Sequence, residues 1–103
     1  MTKEHKKAIK IIEKFSPKDF GVRNVYYKTT PRSLEVLFII KKTSTPSLIN
    51  YLNSLSSVIS NEVDNLKINS SVYYYESKDK INKVTNDENL IEMNVSNFSN
   101  VSI

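Results

Sequence analysis

The sequence predicts a small α+β domain in which two helices pack on an antiparallel sheet. Two segments carry apolar residues at helical spacing, and four others carry the short apolar or alternating runs that are typical of strands. Their order is helix, strand, strand, helix, strand, strand. A length of 103 residues fits one domain. We divide it into a domain of residues 1–89 and a closing strand with an extended C-terminal arm, residues 90–103.

The first predicted element is an amphipathic helix over residues 2–15. Thr2 is a good N-cap, and Pro17 disfavours helical backbone at the residue before it. His5 is the only histidine, and we expect it to be a solvated residue near the helix end. Four apolar residues follow the i, i+3, i+4, i+7 spacing of a buried stripe: Ala8, Ile11, Ile12 and Phe15.

Two strands are predicted next. Gly21, the only glycine, suits a turn before a strand over residues 21–28. Simple alternation places Val22, Asn24 and Tyr26 on one side of that strand. Residues 34–42 form the second strand, and its middle is apolar on both sides. This second strand is therefore expected at the centre of the sheet, covered on both faces.

The second predicted helix runs over residues 46–65, with Thr45 as N-cap and Pro46 in the first helical position. Its apolar stripe is Leu48, Leu52, Leu55, Ile59 and Val63. Residues 43–61 carry no charge, which is unusual for a helix with a solvent-exposed face. The face opposite the stripe consists of Asn50, Ser54, Ser57 and Asn61.

The remaining elements are two strands and a loop. Residues 67–77 are predicted as the third strand, and the charged residues 78–89 as a loop. Residues 90–98 are expected to pair back on residues 68–76 as a long hairpin. Ile91, Met93 and Val95 would then face the core.

Catalytic chemistry is not indicated. The chain has no cysteine and one histidine, so the usual thiol nucleophiles and paired histidine bases are missing from the sequence. One glycine cannot form a glycine-rich phosphate loop. The carboxylates show no metal-ligand spacing. We therefore expect a protein that is not an enzyme and needs no cofactor or metal, with no small-molecule substrate.

The sequence also gives an expectation about location. No stretch of eighteen apolar residues is present, and the N-terminus lacks the apolar run of a secretory signal peptide. We expect no membrane partner and a cytoplasmic or virion location. Residues 94–102 repeat Asn-x-Ser three times, the acceptor pattern for N-linked sugar. Without secretion, this repeat is better explained by the Asn- and Ser-rich composition.

Charge is distributed unevenly along the chain. Residues 1–42 hold eleven Lys/Arg and four Asp/Glu, a net charge of +7, whereas residues 43–103 hold four and seven, a net charge of −3. One hypothesis is that the basic part binds nucleic acid, with lysines on phosphates and strand tyrosines stacking on bases. The residues for this role are Lys3, Lys7, Lys10, Lys14, Arg23 and Arg32.

The hypothesis that we favour is assembly with other protein subunits, as a homo-oligomer or within a larger complex. Small neutral side chains lose less on desolvation than charges do, and the centres of interfaces are depleted of charge. Apolar residues at every third position of the C-terminal arm suit an extended segment on another surface. The predicted contacts are Asn50, Ser54, Ser57, Asn61, Val95, Phe98 and Val101.

The order of elements resembles that of the phage tail-completion or tail-terminator class, proteins that form rings at the head–tail junction of a virion. The resemblance includes the segment SLEVLFIIKKTSTPSLINYLNSL, a strand that ends in a Ser/Thr/Pro turn followed by a long helix, and then the closing hairpin. It covers most of the chain, is carried by no residue motif and assigns no functional residues. It implies a virion head–tail component. A small inhibitor of a host protein is a further hypothesis that the sequence does not separate from assembly.

Overall fold

The computed structural model describes residues 1–16 and 18–95, apart from the side chain of Asp19. A short 3-10 turn at Lys18–Phe20 separates the first helix from the first strand. The other elements, in chain order, are helix α1 (Lys3–Phe15), strands β1 (Val22–Thr30) and β2 (Ser33–Ile40), helix α2 (Pro46–Glu62), strand β3 (Lys67–Tyr74), helix α3 (Lys78–Val84) and strand β4 (Ile91–Glu92).

The α+β class is confirmed, and the sheet is mixed rather than purely antiparallel. The four strands formed by the described residues lie in the order β3-β2-β1-β4. β1 pairs antiparallel with β2 and with β4, whereas β3 pairs parallel with β2, from Ser33 opposite Lys67 to Ile40 opposite Tyr74. The parallel pair follows from α2, because a helix as long as the strands returns the chain to the end of the sheet where β2 began.

The predicted closing hairpin is wrong. β4 is only two residues long and pairs with Tyr26 and Tyr27 of β1, at the sheet edge opposite β3. Residues 78–84, expected as a loop, form α3 instead. The side chain of Ser77 accepts a hydrogen bond from the backbone N–H of Lys80 and caps this helix. Ile81 and Val84, three residues apart, then reach the sheet together.

β2 is the central strand, as predicted, and it is covered on both faces. Alternate residues of β2, beginning with Leu34 and ending with Ile40, belong to the main core beneath α1 and α2. We call this side the first face. Leu37 and Ile39 point to the second face, where they pack with Ile81 of α3. The sheet is thus a middle layer, with two helices on one side and one short helix on the other.

β1 differs from the predicted alternation because of an irregularity near its start. The pairing with β2 shifts between Val22 and Asn24, so that Arg23 is an extra residue in the strand. Val22 and Val25 therefore both face the main core, while Tyr26 faces the opposite side. A strict period of two cannot anticipate this bulge, which places Val22 and Tyr26 on different faces.

α1 forms with Thr2 as its N-cap, as predicted, but His5 is buried rather than solvated. The imidazole is 1% exposed. Its Nδ1 accepts a hydrogen bond from the backbone N–H of Thr2 at 3.0 Å, and its Nε2 lies 2.9 Å from the carbonyl oxygen of Ser33. A backbone N–H can only donate, so Nδ1 is unprotonated and Nε2 carries the proton that it donates to Ser33. His5 thus caps α1 and fastens it to β2.

Candidate protein-interaction surface

The uncharged side of α2 is exposed over its whole length. Leu52, Leu55 and Ile59 are buried against the sheet. The four residues predicted for the opposite side all lie at the surface. We call this surface the outer face of α2. Its members are Asn50, Ser54, Ser57, Val58 and Asn61.

Val58 is the member of the outer face that the sequence prediction missed. It is 53% exposed and sits one turn after Ser54, among neutral polar side chains. Tyr51 lies beside it, and its phenol donates a hydrogen bond to the carbonyl oxygen of Phe15, at the end of α1. Partial burial raises the pKa of the Tyr51 phenol. Val58 could have been found from its position, because it falls outside the buried stripe of the helical wheel.

Serine hydroxyl groups of α2 donate hydrogen bonds to backbone carbonyl groups of the same helix. Ser57 donates its hydroxyl to the carbonyl oxygen of Asn53 at 3.2 Å, and Ser60 donates to that of Ser56 at 3.1 Å. A hydroxyl that keeps its hydrogen bond after water is removed costs little to bury. The outer face therefore combines an exposed apolar side chain, Val58, with a hydroxyl, that of Ser57, that is inexpensive to desolvate.

The C-terminal residues predicted for the interface fall into two groups. Val95 is 5% exposed and packs in the main core with Met93, so it is not part of a free surface. Ile91, which was expected to face inward with them, is 52% exposed. Phe98 and Val101 lie outside the described residues.

The basic residues predicted for nucleic-acid binding do not form one surface. Lys3, Lys7, Lys10 and Lys14 are all exposed on α1, which lies on the first face. Arg23 stacks on the ring of Tyr75 at 3.7 Å, and Tyr75 packs with the second-face cluster. Arg32 is exposed at the turn between β1 and β2. The structure thus joins the lysines of α1 into one stripe and separates them from Arg23.

Among the tyrosines proposed for base stacking, Tyr26 and Tyr27 point to opposite faces of β1 and are half-buried. Helices cover both faces of the sheet, so these two rings do not form an open stacking platform. The remaining strand tyrosines lie at the end of β3, where Tyr73 is 44% exposed and Tyr74 is 37% exposed.

A polar cavity of about 210 Å³ lies on the second face, between the sheet and the segment that follows α3. Each charged side chain that lines the cavity has an ion-pair or hydrogen-bond partner. Lys28 Nζ lies 3.0 Å from Asp87 Oδ2, and the Glu35 carboxylate accepts a hydrogen bond from the Asn69 amide at 3.2 Å. This arrangement holds the segment after α3 on the sheet.

Within residues 1–16 and 18–95, no three His, Asp or Glu side chains cluster as metal ligands would. The helices in that part of the chain are also too short or too polar to cross a membrane. Comparison with protein-family models, with curated proteins and with solved structures finds no match to this chain.

Proposed function

We propose that this protein is a non-enzymatic assembly component that works by binding other protein subunits through the outer face of α2. The observation that carries the proposal is the exposure of an uncharged helix face that includes Val58. A solvated helix normally keeps Lys and Glu on such a face, and those charges oppose association. The partner is a second copy of the chain or another subunit of a larger complex.

The electrostatics of the outer face fit association better than solvation. Burying an unpaired charge is costly, whereas a Ser or Asn side chain can be buried cheaply once it has a hydrogen bond. Small side chains also let a neighbouring backbone approach closely. Val58 supplies apolar area of the kind found at interface centres. The proposal therefore requires no ligand, metal or catalytic group.

A head–tail component of a phage virion is the particular setting that the sequence resemblance suggests for this role. Part of that resemblance was the closing hairpin, which is replaced here by α3 and a two-residue β4. The proposal therefore rests on the outer face of α2. A small inhibitor of a host protein would use the same kind of surface, and the identity of the captured partner would distinguish these two settings.

The experiment is a solution mass by light scattering for the wild-type chain and for Ser57→Lys. The added ammonium group would be buried without a partner in the interface, so the variant should dissociate while circular dichroism stays unchanged. Asn82→Lys, at an exposed position of α3 on the other side of the sheet, is the matched control and should keep the wild-type mass. An oligomer that Ser57→Lys leaves intact would rule out the outer face as its interface.

Nucleic-acid binding by α1 is the second candidate function. The specific observation is the stripe of exposed lysines, of which Lys7 contacts the carbonyl oxygen of Glu62 at 3.5 Å while Lys10 and Lys14 extend the stripe toward Phe15. Phosphate contacts supply affinity with little dependence on sequence, and salt weakens them steeply.

The test of this second candidate is a salt titration of binding to DNA and RNA fragments. Reversing the charge at Lys7 and Lys10 together should weaken binding and reduce its salt dependence. The corresponding change at Lys78 and Lys83 on α3 is the control, because these exposed lysines lie on a helix that packs on the opposite face. Binding that does not respond to salt would exclude phosphate contacts as its driving force.

A further inference from the structure

β3 forms one edge of the sheet, and no described strand pairs with its outer side. The backbone N–H groups of Lys67 and Tyr75 donate to Arg32 and Ile40, so the odd-numbered residues turn their backbone groups toward β2. In a parallel ladder the alternate residues turn theirs the other way. The outward donors and acceptors therefore belong to Ile68, Ser70, Val72 and Tyr74.

This edge lacks the features that usually prevent strands from pairing with other chains. Edge strands are commonly short, or carry Lys, Pro or a bulge. β3 has eight residues in unbroken register with β2, and residues 68–75 contain no charge, proline or glycine. The opposite edge, by contrast, ends in the two-residue β4. An unprotected edge of this length is suited to pairing with another strand.

Helix α2 lies beside this edge, and it carries no charge on the side that is turned away from α1. α2 packs mainly on β3, and Tyr51 marks the side of α2 that contacts α1. Ser60 follows Tyr51 by nine residues, which is about 180° around a helix, so it lies on the side away from α1. We call this side the flank of α2, and its members are Asn53, Ser56 and Ser60.

We propose that β3 pairs antiparallel with β3 of a second copy, so that the two sheets join into one sheet of eight strands. A two-fold axis perpendicular to the sheet keeps the first faces of both copies on the same side. With the axis at Ser71, Ser70 meets Val72 of the second copy and Ile68 meets its Tyr74. All four outward residues of each copy then form hydrogen-bonded pairs. The two α2 flanks would then lie on the same side of the joined sheet, one on each side of the axis.

The charges at the ends of β3 favour a second copy in this orientation. Lys67 begins the strand, and Glu76 follows its last residue by two positions. Antiparallel pairing places Lys67 of each copy near Glu76 of the other, where a cation meets a carboxylate. Parallel pairing would place like charges together. Glu76 also contacts Lys80 in its own chain, which keeps it at this end of the strand.

The proposal concerns a surface that is separate from the outer face of α2, so the two can be tested independently. A cavity of about 330 Å³ opens beside the same edge, between β3 and α3, and Tyr73, Ile81 and Val84 line it on the second face. A second strand laid against β3 would close one side of this cavity. The edge pairing therefore buries apolar surface on the second face as well as small polar groups on the first.

The experiment is amide hydrogen exchange by NMR on the full chain, with the solution mass measured at the same concentrations. Pairing through β3 predicts slow exchange at the amides of Ile68, Ser70, Val72 and Tyr74 in the dimer, and at least about tenfold faster exchange on dilution to monomer. A monomeric mass, or a dimer in which these amides exchange quickly, overturns the proposal. A dimer with fast β3 amides that Ser57→Lys dissociates would instead support the outer face of α2.

Two variants test the pairing of β3 without a measurement of amide hydrogen exchange. Tyr74→Lys introduces at β3 the side chain that natural edge strands use against pairing, and it should raise the dissociation constant of the dimer at least about tenfold. Ile91→Lys makes a similar change at the other edge, where the side chain is 52% exposed, and should leave dimerisation unchanged. Equal effects of the two substitutions, or no effect of Tyr74→Lys, would also overturn β3 pairing.

Discussion

His5 makes hydrogen bonds both at the start of its own helix and with the sheet. One nitrogen of its ring caps α1 by accepting from Thr2, and the other binds the carbonyl oxygen of Ser33 in β2. The hydroxyl of Thr2 in turn accepts from the backbone N–H of His5, which completes a capping box. A single side chain therefore satisfies the first turn of the helix and fixes its position on the sheet.

We expect His5→Ala to lower the free energy of unfolding by about 2 to 4 kcal/mol, because buried hydrogen-bonding groups lose their partner and a void remains. Denaturant unfolding measures this change. Lys6→Ala, at the exposed next position, is the control and should stay within about 0.5 kcal/mol of the wild type. A His5 variant as stable as the Lys6 variant would mean that the ring contributes no net anchoring.

Gly21 is a second residue whose identity matters, because the backbone conformation at this position favours glycine. Its φ of 114° lies in a region that other residues rarely adopt, and an added Cβ would lie 2.8 Å from Ser44 Oγ. The backbone N–H of Lys41 donates to the carbonyl oxygen of Gly21, so this residue also holds the end of β2. The sequence indicated a turn here from the glycine alone, and the structure adds the close approach of the chain that follows β2.

At the scale of elements, local sequence patterns predicted the main helices and the central strand but did not predict how the strands pair. The stripes at helical spacing placed α1 and α2, and the apolar run of residues 34–42 identified β2 as the central strand. The partners of β3 and β4 depended on contacts that lie far apart in sequence. Alternation does not distinguish a parallel neighbour from an antiparallel one, so the sequence alone predicts a hairpin partner for β3, whereas the structure pairs β3 parallel with β2.

The same reasoning explains which parts of the candidate surface were predictable. The outer face of α2 follows from periodicity, because the residues opposite a buried stripe must be exposed. The burial of His5 depended on packing against β2, and no local pattern revealed it, whereas strand alternation did predict that Met93 and Val95 face the core. α3 was missed because its seven residues contain only two core contacts within a strongly charged segment.

α3 allows a direct test of how much a short helix depends on its cap. Seven residues are too few to be stable alone, so the hydrogen bond from the Lys80 N–H to Ser77 Oγ, 3.2 Å long, should matter. We expect Ser77→Ala to cost about 1 kcal/mol and to speed amide exchange in α3. Ser77→Asp should retain the cap. Unchanged exchange in the alanine variant would indicate that Ile81 and Val84 alone maintain the helix.

At the scale of the whole molecule, folding brings the basic and acidic parts of the chain together. Lys28, from the part with a net charge of +7, pairs with Asp87, from the part with a net charge of −3. Lys7 likewise lies beside the end of α2, where Glu62 and Asp64 share a shallow cavity with it. Contacts within one molecule therefore neutralise part of the opposite charge of the two parts of the chain. The exposed lysines of α1 carry much of the remaining positive charge.

The pairing of Asp87 predicts how stability responds to acid. Its pKa is held below the ordinary value of 3.8, first by the hydrogen bond from the Asn89 backbone N–H and then by Lys28. The Lys80 ammonium likewise lowers the pKa of Glu76. A carboxylate whose pKa is depressed by folding stabilises the protein above its unfolded value, and the contribution is lost as pH falls through the folded value. Both carboxylates therefore make the folded state less stable below about pH 4.

We expect Asp87→Asn to reduce the slope of stability against pH between about pH 5 and pH 2, because the variant has one fewer carboxylate to protonate on unfolding. The asparagine oxygen can still accept from the Asn89 N–H, so the turn should survive while the ion pair with Lys28 is lost. Denaturant titrations at a series of pH values measure the slope. Glu88→Gln neutralises the exposed neighbouring carboxylate and serves as the control. If both substitutions change the slope equally, net charge rather than the contact between Lys28 and Asp87 governs the acid response of the molecule.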